Sequence, residues 1–290
     1  MCGIVGLFLK DEVLENALGE MLTDMLVTMT DRGPDSAGIA VYRGGDGGVK
    51  ITIQAPDPDT SFPLLSDALH VDIVQKDTHA IVTCTAEQTE AVCAHIRATE
   101  GVRILSTGEA IEIYKEVGLP QSVAERFNIP ALSGSHGIGH TRMATESAVT
   151  TLGAHPFSTG TDQCLVHNGS LSNHNALRKT LRKQGVHVET ENDSEVAAAY
   201  LTWKMREGAN LGEALEAGIA DLDGFYTFVV GTKNGFGVLR DPIACKPAVL
   251  AETEQYVAFG SEYRALVNLP GIEQARVWEP EPATVYFWEH

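Results

Sequence analysis

The first six residues, Met1-Cys2-Gly3-Ile4-Val5-Gly6, constrain this chain more than any other stretch. Cys2 has a side chain small enough for aminopeptidase removal of Met1, which would leave one residue carrying both a thiol and a free α-amine. The thiolate is the strong nucleophile. An α-amine titrates at about 8, so near neutral pH it can take a proton and return it. A terminal residue that is both nucleophile and base is a known way to activate an attacking group. The apolar Ile4-Val5-Gly6-Leu7-Phe8 that follows predicts a buried strand. Such a strand would hold rigid an end that in most chains frays. The plain alternative makes Cys2 the second residue of an ordinary strand, and the rest of the chain has to decide.

A chain of 290 residues can bury a large core, as one domain or two small ones. Its net charge of -18 argues against nucleic acid and against anionic membrane surfaces, because no basic patch is available to release counterions. No apolar run reaches the length of a membrane span, and no secretory signal pattern opens the chain. The cysteines at 2, 84, 93, 164 and 245 are odd in number and scattered, which fits a reducing cytoplasm better than a disulfide framework.

Apolar residues at Leu14, Leu18, Met21, Leu22, Met25, Leu26 and Met29 have helical spacing over residues 13–29. A polar loop around Arg32-Gly33-Pro34-Asp35 leads into the short strand Ile39-Ala40-Val41-Tyr42. Residues 55–63, broken by proline and acidic groups, read as surface loop, and residues 66–130 as an inserted α/β excursion without site motifs. The second half alternates short strands with three helices over 173–183, 194–206 and 211–221. This order suggests stacked sheets with helices outside, an α+β class.

Three internal stretches carry chemistry. Arg142 ends the buried-looking strand of Gly139-His140-Thr141-Arg142, and a guanidinium there must find an anion, since it cannot deprotonate. A structural salt bridge is the plain reading of a lone arginine, and a carboxylate ligand the functional one. Asn168-Gly169 after a strand is by default a tight turn. It could also present a side-chain amide and a backbone N–H as paired oxyanion donors. Asn192-Asp193-Ser194-Glu195 reads as a helix cap, or as a carboxylate aimed at an ammonium. A terminal cysteine, an oxyanion pair, an arginine for a carboxylate and an aspartate for an amine together describe a site for glutamine. The histidines at 136, 140, 155 and 167 sit on separate elements without a ligand motif, so no metal is expected.

With these pieces in chain order stand Arg32-Gly33-Pro34-Asp35-Ser36-Ala37-Gly38, Ala154-His155-Pro156, Gly224-Phe225-Tyr226-Thr227-Phe228, Arg240-Asp241-Pro242, Lys246-Pro247 and Ser261-Glu262. The set resembles the class II, N-terminal-nucleophile glutamine amidotransferase domain and covers both ends of the chain. The resemblance implies a four-layer αββα fold, with Cys2 as nucleophile, its α-amine as base, and Asn168 with Gly169 as oxyanion hole. It places Arg142 on the glutamine α-carboxylate and Asp193 on the α-ammonium. It sets Arg32 beside the terminus, and Met143, Thr145 and His155 along the pocket, although some relatives carry an aromatic residue at Met143. Length and the stretch 139–157 are most similar to the small subunit of N-methylglutamate synthase and to glutamate-synthase-like products. That resemblance implies partner subunits carrying FMN and an iron–sulfur cluster, with none of these cofactors in this chain. Two rival readings stay open: a non-hydrolysing assembly subunit, favoured if Met1 is retained, and an N-terminal-nucleophile hydrolase acting on another amide.

Overall fold

A computed structural model describes residues 2–44, 47–144 and 148–290. Its centre is a pair of sheets. The first has seven strands in the order β15 (Arg276–Trp278), β13 (Val249–Glu252), β14 (Tyr256–Gly260), β1 (Gly3–Leu9), β8 (His136–Arg142), β2 (Ser36–Tyr42) and β7 (Ile111–Val117). The second has five, in the order β16 (Thr284–Glu289), β12 (Gly235–Arg240), β11 (Gly224–Gly231), β10 (Gln163–Leu171) and β9 (Phe157–Gly160). All pairings within both sheets are antiparallel.

The apolar run that opens the chain becomes β1, in the middle of the larger sheet and buried along its whole length. Successive side chains of a strand point to opposite faces, and here both faces are dry. Val5, Leu7 and Leu9 pack against Leu22, Met25 and Leu26 of α1 (Leu18–Thr28). Ile4 and Phe8 face the other way, onto Val229, Phe236 and Val238 of the second sheet. Gly6 sits at a close approach of the two sheets, where a Cβ would lie 2.6 Å from the Phe236 ring. The far face of the second sheet is covered by α6 (Asp193–Arg206) and α7 (Leu211–Asp221), through Ala197, Leu201, Leu211 and Leu215. The result is the four-layer αββα arrangement, with the methionine-rich stripe of α1 serving as core. Among the described residues no helix is long and apolar enough to cross a membrane.

The inserted excursion differs from its expected bounds of 66–130. A separate four-stranded sheet, ordered β4 (Asp72–Lys76), β5 (His79–Cys84), β3 (Val49–Gln54), β6 (Arg103–Gly108), carries α2 (Pro58–Leu69) and α3 (Thr89–Ala98). Its core of Ile51, Ile53, Phe62, Leu65, Val82, Val92 and Ile96 is its own. By contrast β7 pairs with β2 over seven residue pairs, and α4 (Pro120–Arg126) packs against α1, so both belong to the main body. Residues 55–63 are not a loop throughout. Pro58 begins α2, where a missing N–H costs nothing, and Phe62 and Leu65 anchor that helix.

Asp162 ties the excursion to the core. It lies in the turn between β9 and β10, buried, with a left-handed φ of 51°. Its carboxylate accepts from the backbone N–H groups of Glu109 (2.9 Å), Ala110 (2.8 Å) and Ile111 (3.0 Å), in the turn that joins β6 to β7. An unpaired buried N–H costs about 1–3 kcal/mol. Asp162→Ala should therefore lower stability by about 2 kcal/mol or more in urea unfolding, and Asp162→Asn, which keeps one acceptor, by clearly less.

Candidate functional site

The site forms where β1 begins. Cys2 is half-buried, and its thiol lies 3.5 Å from the backbone N and 3.8 Å from the backbone O of Met143. The next peptide groups are held by residues from far along the chain. Gly3 N–H donates to Thr141 Oγ1 (3.2 Å), and Ile4 N–H to Ser261 Oγ (2.9 Å). The Cys2 carbonyl accepts from Arg32 Nε at 2.9 Å and from Asn168 Nδ2 at 3.2 Å. Arg32 follows the polar turn after α1, is buried, and forms an ion pair with Glu262. That guanidinium holds the Glu262 carboxyl below the usual carboxylate range.

Asn168 and Gly169 are not the hairpin tip that their dipeptide suggests. They lie inside β10, paired with Thr227 and Tyr226 of β11. Gly169 has φ of 147°, and a Cβ there would fall 2.0 Å from the Phe225 carbonyl oxygen, so only glycine fits. His140 of β8 stands 3.2 Å from Asn168 Oδ1 through Nε2. When that nitrogen carries the proton, it fixes the amide with its N–H₂ end toward Cys2 and Ser261. The two sheets thus meet at this point, β8 and β1 on one side and β10 on the other.

Arg142 is the last residue of β8, buried, with Nη1 donating to the Ala148 carbonyl at 3.3 Å. Met143 follows it beside the thiol. Ala144 N–H donates to Asp35 Oδ2 at 2.8 Å, which anchors this wall to the loop after Arg32. Thr145 lies outside the described residues. The helix cap is Asn192, whose side chain accepts from Ser194 N–H at 2.9 Å. Asp193 is therefore the first residue of α6, one carboxylate oxygen accepting from Leu171 N–H at 2.8 Å and the other 3.8 Å from His167 Nδ1. His155, buried and joined to Pro156 by a cis peptide, lies 2.8 Å from Ser194 Oγ, which also meets His167 at 2.9 Å. The rings of His140 and His155 stack with centroids 4.0 Å apart. A continuous chain of contacts thus runs from Cys2 through Asn168, His140, His155 and Ser194 to Asp193. Ser194 and Ser261, which bind it together, have no sequence signal beyond their places beside Asp193 and Glu262.

The histidines are buried and neutral. Burial pushes His140 down to about 3, and His155 well below its usual range. It lowers His167 to about 4, against the opposing pull of Asp193. Among the described residues no group of three or more His, Cys, Asp or Glu side chains is arranged to hold a metal ion.

A glutamine amidotransferase domain is matched over residues 140–268. The chain is 64% identical to the glutamine amidotransferase-like protein GlxB of Rhizobium meliloti, over 100% of this chain and 99% of that protein. The chain belongs to the glutamine amidotransferase family. It is also 31% identical to a putative glutamine amidotransferase of Methanothermobacter thermautotrophicus, over 99% of each. Among solved structures it resembles the glutamine phosphoribosylpyrophosphate amidotransferase of B. subtilis, with a TM-score of 0.63 and 19% identity over 99% of this chain. That likeness shows the fold. The chain spans about half the length of that structure, 47%.

Burial of these histidines should make the stability of the chain fall in mild acid. His79 and His136, both lowered to about 3 by burial, add to the three at the site. All five fold as neutral groups, whereas an unfolded histidine titrates at about 6.5. Stability is therefore full above about pH 6.5 and is lost as pH falls toward the folded values, by up to about 1.4 kcal/mol per pH unit for each group. Between about pH 6.5 and 5 the carboxylates stay ionised in both states, so this loss belongs to histidine. Thermal unfolding across that window should show a falling Tm, and His136→Gln should flatten the slope.

Proposed function

We propose that this chain hydrolyses glutamine through a Cys2 thioester and delivers the released nitrogen to a synthase partner. The observation that carries the reading is the Asn168 amide 3.2 Å from the carbonyl of Cys2, across 166 residues of sequence. It sets the amide that would serve as oxyanion donor against the backbone of the residue that carries the thiol.

After excision of Met1, the Cys2 α-amine takes the thiol proton, and the thiolate attacks Cδ of the glutamine side chain. The C=O electrons move to oxygen, and that oxyanion forms against Asn168 Nδ2 and the Gly169 N–H. The protonated amine gives its proton to the departing nitrogen, the C–N bond breaks, and ammonia leaves a γ-glutamyl thioester. Water then loses a proton to the same amine as it attacks the thioester. The C–S bond breaks, the sulfur recovers a proton, and glutamate is released. Arg142 receives the α-carboxylate, and Asp193, held by Leu171 N–H, receives the α-ammonium. Arg32 fixes the Cys2 carbonyl and His155 walls the pocket. Met143 lies along it, and Thr145 is assigned there from the motif alone.

The acceptor subunit is proposed to be that of N-methylglutamate synthase or a glutamate-synthase-like complex in the cytoplasm. FMN and an iron–sulfur cluster would reside in the partner subunits, and the chain's negative charge would favour docking onto a less acidic surface.

Intact mass before and after incubation with 6-diazo-5-oxo-L-norleucine tests the nucleophile. Loss of Met1 and one adduct are expected in the wild type, and no adduct in Cys2→Ala. A retained Met1 without adduct would overturn the hydrolytic reading. In a glutaminase assay Asn168→Ala should lower kcat by about 10²–10³. Arg142→Lys should act chiefly on KM, raising it about 10–100-fold through loss of a charge-assisted contact.

A further inference from the structure

Lys115 is a buried charge that the reaction above does not use. It lies on β7, the edge strand of the seven-stranded sheet, and is only 4% exposed. Its ammonium donates to three backbone carbonyls of one loop: Ala154 at 2.8 Å, Pro156 at 3.1 Å and Leu152 at 3.4 Å. It also stands 4.7 Å from the centre of the Phe157 ring. The opposite residue on β2 is Gly38, where a Cβ would fall 2.0 Å from the His155 carbonyl oxygen and 2.5 Å from Lys115 Cβ. Glycine at that place is what lets the loop close onto the lysine.

The clamped loop is the wall of the glutamine site. Ala148 at its start takes the Arg142 guanidinium, and His155 near its end stacks on His140, the partner of Asn168. Leu152 packs against the core between the sheets, and Phe157 belongs to the core beneath α6. Both also border a cavity of about 780 Å³ that extends toward Arg97 and Cys93 of α3. Hydrogen bonds from β7 hold the loop beside that cavity: those of Lys115, and the contact between its neighbour Glu116 and Thr151. A buried lysine is costly unless its charge is met. Burial lowers Lys115 to about 8, while Glu195 and Glu189 pull the other way. Such a cost is spent here on fixing three carbonyls in one place.

We infer that Lys115 is a positioning residue for glutamine recognition: by clamping residues 152–156 to β7 it holds Arg142 and His155 in the arrangement that binds the amino-acid end of the substrate. The inference rests on the glutaminase reading and deepens it. Lys115 touches no substrate atom and acts through the loop.

The test compares two alkylating probes on the full chain. Labelling of Cys2 by 6-diazo-5-oxo-L-norleucine needs the glutamine pocket and saturates, whereas labelling by iodoacetamide reports the thiol alone. In Lys115→Met the half-saturating concentration of the glutamine analogue should rise by about tenfold or more. Its limiting rate should change little, and the iodoacetamide rate should stay at the wild-type value. Lys115→Gln, which retains two N–H donors for the carbonyls, should give a smaller rise and keeps the test open if the methionine variant fails to fold. Unchanged half-saturation in a folded variant would overturn the role of Lys115 alone. Equal slowing with both probes would also overturn it, by showing that the lysine acts on the thiol or the core and not on recognition. Absence of saturable labelling in the wild type would instead overturn the glutaminase reading, and this inference with it.

Discussion

A chain end has covalent structure on one side only, so a terminal residue can be held in place only by groups borrowed from elsewhere. The structure depends on this. The backbone of Cys2, Gly3 and Ile4 is gripped by Arg32, Thr141, Asn168 and Ser261. These residues come from the turn after the first helix, from the neighbouring strand, from the facing sheet and from the end of β14. Each grip is a single hydrogen bond, worth about 1 kcal/mol net, and their common effect is to give one position to a group that would otherwise fray. The central place of β1 makes this possible, since a strand with neighbours on both sides and dry faces above and below cannot shift register without exposing apolar side chains.

Around that fixed end the polar groups form a network in which each of three buried histidines meets a polar neighbour through one ring nitrogen: His140 the Asn168 amide, His155 and His167 the Ser194 hydroxyl. Stacking of His140 on His155 joins the two parts. A lysine or arginine in their place would carry charge into the space between the sheets. Charge is admitted only where it is met: Arg32 by Glu262, Arg142 beside the Ala148 carbonyl, and Lys115 by three carbonyls. The excursion adds a different device, in which Asp162 reaches across from the five-stranded sheet to three consecutive N–H groups. A body with its own small core is thereby tied to the main sandwich.

Most of the residues proposed to carry chemistry were legible in the sequence. Cys2, Arg32, Arg142, His155, Asn168, Gly169 and Asp193 stand in short motifs because each needs a particular backbone setting: a terminus, a strand end, a helix start, a φ that only glycine tolerates. The α1 stripe and the long helices were legible from periodicity. Less legible were the edges. β4, β9 and β15 are short edge strands, and β4 and β15 bury little, so their alternation carries weak signal. The helix that begins at Pro58 was hidden by its own breakers: Pro58 and Asp59 sit harmlessly in its first turn, while Pro63 falls inside it. The Asn168-Gly169 dipeptide pointed to a turn because turn propensity is local, while its place inside a strand comes from pairing with β11.

The sequence by itself determined which groups exist and in what local setting: a cysteine beside the first methionine, apolar runs with strand and helix periods, an arginine ending one strand and an aspartate opening a helix. Tertiary structure alone decided that these groups meet. Which strand lies beside β1, that Asn168 turns its amide to Cys2, that Ser194 joins two histidines and that Lys115 clamps the loop behind the site all depend on contacts between residues far apart in the chain. Such contacts leave no periodic trace in sequence, because they are set by the packing of whole layers and not by the neighbours of any one residue.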